Sequence, residues 1–409
     1  MDFDDTPDEA SFRDTARTWL EAHAPVKGGP DDFSIGFLEG TMSPREFLER
    51  AKAWQRLLVD EGWAGITWPG AYGGRGGTAM ESVIWAQEAS QFGVAVNTFA
   101  VGIAMAGPTI LRHGNAEQKA RYLRPMLRGD EVWCQLFSEP DAGSDLANIA
   151  TRAVRDGDEW VVSGQKVWTS GAADSEWGIL LARTDPNQPK HKGITYFLVD
   201  MSSAGLDIRP LKQMTGSEHF SEVFLDEVRI PAANVLGDVG EGWACAITTL
   251  SNERGLIAGG NKSSDIGVLI ELARKRGRSE DTVLRQVMVD CWIRQQIQRY
   301  HGFRLQTALS KGVPPGPETS VMKLFAAEYL RLLGNASLAL LGPEATLLSP
   351  DAPAGQDWQQ RFLYAPAIRI AGGSNEVQRN IIAERVLGLP RERQADREIA
   401  FRDLPRGGS

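Results

Sequence analysis

Along the first 130 residues apolar positions recur at close to the 3.6-residue helical period. The spacing predicts helices over 11–23, 44–60, 78–92, 97–113 and 115–126. In "PREFLERAKAWQRLLVDEGW", Phe47, Leu48, Ala51, Trp54, Leu57 and Leu58 gather on one face. Near Glu131 the period drops to two. "TRAVRDGDEWVVSG" alternates around Asp156-Gly157, a two-residue hairpin signal. "WGILLART", "GITYFLVDM", "LDIRPL" and "SEVFLDEVRIP" follow as short β-rich runs, a series that predicts a compact barrel or sandwich. From Glu241 long helical patterns return, over 241–275, 280–310 and 317–341. A long loop, "GPEATLLSPDAPAGQDW", and a helix over 375–388 complete a bundle. The expected class is α+β multidomain: helical over 1–130, a β-barrel over 131–240, and a helical bundle over 241–409.

Composition narrows the function. At 409 residues the chain exceeds a single core, and 42% apolar residues suffice for several. A formal charge of −9 argues against nucleic acid as a general partner. The acidic "MDFDDTPDEASF" lacks the regions of a signal peptide, and no apolar run is expected to span a bilayer. Cys134, Cys245 and Cys291 are widely spaced without a CxxC, so they read as buried thiols of a cytoplasmic protein. The scattered histidines offer no paired spacing, and no structural metal is expected. "YGGRGG" (Tyr72–Gly77) lacks the spacing of a phosphate loop and follows no β-run, so a flexible inter-helix loop is expected there.

Six stretches carry the chemistry: "WCQLFSEPDAGSD", "GQKVWTSGA", "GITYFLVDM", "TGSEHFSEVFLDEVRIP", "NERG" and "IAGGSNEVQRNIIAERVLGLPRE". In this order and spacing they resemble the acyl-CoA dehydrogenase family over nearly the whole chain. The resemblance implies a helical N-domain, a middle β-barrel, a C-terminal four-helix bundle and an FAD cofactor. It places Gln135, Leu136, Phe137, Ser138, Gly143 and Ser144 along the flavin, with Leu136 and Ser138 at its pyrimidine edge. Ser144 also touches the substrate. Buried flavin edges need partners, which a loop rich in backbone amides supplies. Glu139 and Asp145 are expected to hold the loop's own amides. Trp168 matches the tryptophan packed on the ring system, Thr169 lies between, and Ser170 takes the position facing N5. Ser374, Asn375 and Glu376 sit at a helix start where the family holds FAD, and Gln286 matches a bundle glutamine that reaches it.

The catalytic glutamate of most members precedes the Gly-Thr/Ser pair of the last motif. That position is Gly372 here, which still offers its N–H to a thioester oxygen. Isovaleryl-CoA dehydrogenase and some relatives place the carboxylate in a Glu-Arg pair on a bundle helix. "TLSNERGLIAGG" resembles that segment, which implies Glu253 as the base and Arg254 as a substrate-orienting residue, with Glu376 the rival. The adenosine-binding Arg-x-x-Phe-Gly and glycine-rich segments of many members are replaced by "LARKRGRSED" and "LALLGPEATLL". Arg274 or Arg276 stands in for the first. This departure resembles bacterial branches that form α2β2 assemblies with a related subunit. The expected reaction is α,β-dehydrogenation of an acyl-CoA, with an electron-transferring flavoprotein as acceptor. A homotetramer or dimer is expected, with α2β2 as the alternative. A non-catalytic partner subunit and a flavin oxidase or monooxygenase are the competing readings. The modest length and lack of an SKL-type ending disfavour a peroxisomal oxidase.

Overall fold

The computed structural model describes residues 5–34, 42–95, 98–258, 265–313, 316–349, 357–392 and 396–404, with the backbone alone for 254–258. In chain order the helices before the sheet are α1 (Pro7–His23), α2 (Pro44–Asp60), α3 (Ala79–Ala89), a π-helical turn (Val101–Ala106) running into α4 (Gly107–His113), and α5 (Ala116–Leu127). The strands are β1 (Trp133–Leu136), β2 (Arg152–Asp156), β3 (Glu159–Ser170), β4 (Trp177–Arg183), β5 (Ile194–Asp200), β6 (Leu206–Leu211), β7 (Phe220–Pro231) and β8 (Val235–Leu236). Then come α6 (Gly242–Ala258), α7 (Ile266–Lys275), α8 (Thr282–Ser310), α9 (Thr319–Leu341), α10 (Asp357–Ile368) and α11 (Asn375–Ile381).

The chain divides into two compact units that do not follow chain order. One unit (43–78, 94–253 and 392–409) holds the sheet. Its hydrogen-bonded path is β6-β7-β3-β2-β4-β5-β8, with β1 parallel beside β4. β2 and β4 join through a single pair, Arg152 with Arg183, so the sheet turns over there. Both halves face one barrel core: Trp160 and Val162 of β3 and Val223 to Ile230 of β7 meet Leu180, Ala182, Phe197 and Val199 of β4 and β5. β5 is buried on both faces, which is why apolar residues fill it without alternation, with Thr195 the buried polar exception. The β2–β3 loop is Gly157-Asp158, one residue beyond the expected pair, and Gly157 takes the φ of 58° that its first position demands.

The predicted helix over 97–113 is corrected over 101–106, where the turn widens to π. It brings Gly107 against the Trp68 ring so closely that a Cβ would lie 2.2 Å from Cζ2. The expected flexible loop at Tyr72–Gly77 is also corrected. The amides of Gly74, Arg75, Gly76 and Gly77 donate to the carbonyls of Pro69, Gly65, Trp68 and Ile66, so this segment is a bonded turn with its donors engaged.

The other unit (1–42, 79–93 and 254–391) is helical. Its core joins Leu269 and Ala273 of α7, Cys291 of α8, Tyr329, Leu333 and Leu340 of α9, and Trp358 of α10. α1 begins at Pro7, ahead of the predicted start at residue 11, because Thr6 and Glu9 form a capping box. The predicted single helix over 241–275 is interrupted: Asp265 is extended and its side chain accepts from Gly267 N to cap a new helix. α10 adds a helix between the expected loop and the expected helix over 375–388; Pro366 falls in its last turn, and Trp358 and Ala365 are buried. The segment Thr319–Thr346 is long and apolar enough to cross a bilayer, contrary to the sequence expectation. Half of its apolar 18-residue stretch is buried, and α9 side chains such as Tyr329, Leu333 and Leu340 supply the bundle core.

Candidate active site

β1 ends with Leu136 fully buried, and the chain then leaves the barrel as the loop Phe137–Asp145. A loop this polar stays in one shape because it is pinned from beneath. Glu139 turns inward and accepts from Ala150 N at 2.7 Å, Thr151 N at 3.0 Å and Lys166 Nζ at 2.7 Å. Lys166 is 0% exposed and also donates to Phe137 O at 3.0 Å. Burial opposes the Glu139 charge, but the ammonium and the two amides outweigh it and hold the carboxyl below its ordinary range. Gly143 and Ser144 stand exposed at the loop tip. Asp145 departs from expectation: its carboxylate pairs with Lys190 Nζ at 3.0 Å, which also reaches Asp396 at 3.2 Å.

Besides Lys190, two buried cations that hold this loop and the segment after it were not foreseen. Lys166 is one. Arg183 is the other, donating to Ala147 O at 2.6 Å, Lys190 O at 3.0 Å and Lys192 O at 2.8 Å beneath the Phe401 ring. Burial lowers its guanidinium to about 10. The available signal was a lone cation inside each β-run, in "GQKVW" and "LLART".

β3 carries the second element. Val167 and Trp168 together oppose one residue of β7, because the register shifts between Lys166–Val223 and Thr169–Ser221. The bulge puts Trp168 at φ 61°, a costly conformation for a bulky residue, and leaves its side chain 60% exposed. Val167 N donates to Ser138 O at 2.9 Å, which ties the bulge to the loop. Thr169 is 0% exposed, and its Oγ1 has no hydrogen-bond partner among the described residues. Leu136 and Phe137 bury their side chains, so their backbone is what they offer a ligand, while Gln135 and Ser138 are half-buried. An exposed indole on strained backbone, an orphaned hydroxyl and a fixed polar loop fit a planar ring with polar edges.

In the helical unit, Gly372 and Gly373 have φ of 65° and 90°, so a glutamate at 372 would sit in the left-handed region that side chains disfavour. Gln378 Nε2 donates to Gly372 O and Lys323 Nζ to Gly373 O, each at 2.7 Å. Ser374 caps α11 by accepting from Val377 N, and buried Asn375 donates to Glu328 at 2.7 Å. Asn375 Oδ1 lacks a partner among the described residues. Glu376 is exposed, and so is Gln286 on α8. Arg276 pairs with Glu344, whereas exposed Arg274 pairs with Glu271 at 3.4 Å. "LALLGPEATLL" forms the end of α9 and a 3₁₀ turn, with Gly342 at φ 61°.

α6 is the remaining element. Gly242, Cys245, Ala246 and Thr249 are buried, while Ala244, Ile247 and Ser251 are exposed. One turn after Thr249, the buried stripe meets Glu253, which is half-buried. A solvated helix carboxylate belongs on the other face. The Arg254 side chain lies outside the described residues.

Helical segments before and after a barrel, with a pinned polar loop and a bulged tryptophan at the barrel edge, fit an acyl-CoA dehydrogenase fold. The chain belongs to the acyl-CoA dehydrogenase family, whose N-terminal, middle and C-terminal domain models match residues 6–130, 134–228 and 240–387. It is an FAD-dependent oxidoreductase acting on CH–CH bonds. It is 37% identical over 393 residues to Acyl-CoA dehydrogenase IpdE1 of Mycobacterium tuberculosis strain H37Rv, covering 94% of this chain and 99% of that one. The solved Tcur3481-Tcur3483 steroid ACAD is similar at TM-score 0.81 and 29% identity, covering 96% of this chain and 100% of that one. The ChsE4-ChsE5 complex from Mycobacterium tuberculosis matches at TM-score 0.79 and 28% identity, with 96% and 100% covered.

Proposed function

We propose that the chain dehydrogenates an acyl-CoA thioester between its α and β carbons, with Glu253 taking the α-proton. The observation that carries this reading is the phase of α6, which sets Glu253 in line with a buried stripe while position 372 holds a glycine. A thioester α-proton is weakly acidic, so the base needs help from donors at the developing enolate oxygen. Gly372 N–H is one such donor, and Arg254 and Ser144 orient the substrate. Bound FAD supplies the acceptor for the β-hydride. Gln135 to Ser138, Gly143 and Ser144 hold it from the loop, Trp168, Thr169 and Ser170 from the bulge, and Gln286, Ser374, Asn375 and Glu376 from the bundle.

The acyl group is a bulky, steroid-derived one, supported by the 29% identity to a steroid ACAD over nearly the whole chain. An electron-transferring flavoprotein is the acceptor, and the buried free thiols support a cytoplasmic setting. We divide the chain at 130 and 240, supported by the separate spans of the three domain models. An acyl-CoA panel with an artificial electron acceptor, run on protein of measured flavin content, tests the reading. It fails if the chain, offered excess FAD alone or with a related subunit, never acquires a flavin spectrum.

Trp168→Ala is expected to keep the fold, because its side chain is exposed, and to weaken FAD binding roughly 10- to 100-fold. That corresponds to about 1.5–3 kcal/mol for burying an aromatic side chain. Fluorescence titration with FAD checks it, and unchanged affinity removes Trp168 from the site.

Assembly is expected to be α2β2 with a related subunit. The two-component relatives support this, as do the missing glycine-rich segment and the exposed Val283, Val289, Trp292 and Tyr300 on α8. Light scattering of the chain with and without that subunit measures it. A monomer with full flavin and activity overturns it.

A further inference from the structure

We infer that Tyr196 is a positioning residue for the base, gripping both the start of the flavin loop and the helix turn before Glu253. The inference rests on the reading of Glu253 as the base. Tyr196 lies in β5 with 0% exposure, on the face opposite Phe197 and Val199, which point into the barrel core. Its ring meets that of Phe137 edge-on, with centroids 5.8 Å apart. Its hydroxyl lies 3.0 Å from Thr249 Oγ1. Thr249 Oγ1 in turn lies 2.9 Å from Thr109 Oγ1, which donates to Met105 O at 2.8 Å inside the π-helical turn.

Each hydroxyl has one proton, so Tyr196 donates to Thr249, Thr109 donates to the Met105 carbonyl, and Thr249 donates to Thr109 or to Cys245 O. Thr249 has Cys245 O at 3.1 Å as its second acceptor. An apolar contact among β5, α4 and α6 would hold these elements as firmly. What aliphatic packing does not supply is direction. A buried hydroxyl left unpaired is costly, so sliding or rotating α6 is opposed by the whole chain of bonds. Glu253 follows Thr249 by four residues, about 6 Å along the same helix face. A fixed Thr249 therefore fixes the base, and Phe137 carries the same constraint to the flavin loop.

The test uses Tyr196→Phe in the assembled enzyme, where the ring stays and Thr249 keeps its other partners. The limiting rate of flavin reduction is expected to fall about 10- to 100-fold, the scale of a base displaced by about 1 Å. Acyl-CoA affinity and FAD content should hold. The isotope effect with substrate deuterated at the α carbon should rise, which a mere loss of folded protein does not produce. In the flavin-free chain, amide hydrogen exchange over Thr249–Glu253 should accelerate. Thr249→Ser, which keeps a hydroxyl, should behave as wild type. Wild-type reduction and exchange in Tyr196→Phe, beside an inactive Glu253→Gln, overturns the positioning role alone. A fully active Glu253→Gln overturns the role together with the base assignment.

Discussion

Glu253→Gln is expected to keep fold, FAD and acyl-CoA binding while flavin reduction slows by roughly 10²–10⁴-fold, the typical contribution of a general base. The amide preserves shape and hydrogen bonding but cannot take a proton. Stopped-flow reduction at saturating substrate measures the chemical step apart from binding. The rival, Glu376, sits in the first turn of α11 with 73% of its side chain exposed and Arg379 3.5 Å away. Backbone hydrogen bonding at that helix start holds its carboxyl below the ordinary range, which suits a capping carboxylate better than a base. Wild-type reduction by Glu253→Gln, with an inactive Glu376→Gln beside it, would transfer the role.

Lys166→Met is expected to cost about 3–5 kcal/mol of stability, because it strands the Glu139 carboxylate in the barrel wall without its cation. The loss reaches the site directly, since the same ammonium holds Phe137 O and the loop that follows. Flavin affinity should therefore fall together with the melting temperature. The pH dependence has a definite sign. Removing Lys166 takes away two of the interactions that lower the Glu139 carboxyl, so its folded-state pKa rises and the variant loses less stability than wild type on acidification. Wild type, whose Glu139 carboxyl is lowered, loses stability in that direction. Thermal melts across the carboxylate range compare the two. Lys166→Met with Glu139→Gln should recover part of the stability, because no buried charge is then left alone. A single variant as stable as wild type at neutral pH excludes the pair as the loop's anchor.

The order of helices, strands and helices was legible because each period is local: 3.6 for an amphipathic helix and two for a half-buried strand. The boundaries that failed were set by contacts distant in sequence. Just after the π turn at 101–106 Gly107 packs against Trp68, and Trp358 of α10 is buried in the bundle core. Neither is written in the periodicity of its own segment. Asp145 was assigned to its own loop's amides, since a sequence shows near neighbours, and Lys190 lies 45 residues away.

By itself the sequence determined the family, the flavin-type motifs and their order, and the glycine at 372, because these reside in residue identity and spacing. Only the tertiary structure put Lys166 beneath the loop, gave Trp168 its left-handed bulge, left Thr169 Oγ1 without a partner among the described residues, and joined Tyr196 to Thr249. Each of these depends on the register between β3 and β7 or on the docking of β5, α4 and α6, and register and docking are settled by packing across the whole core.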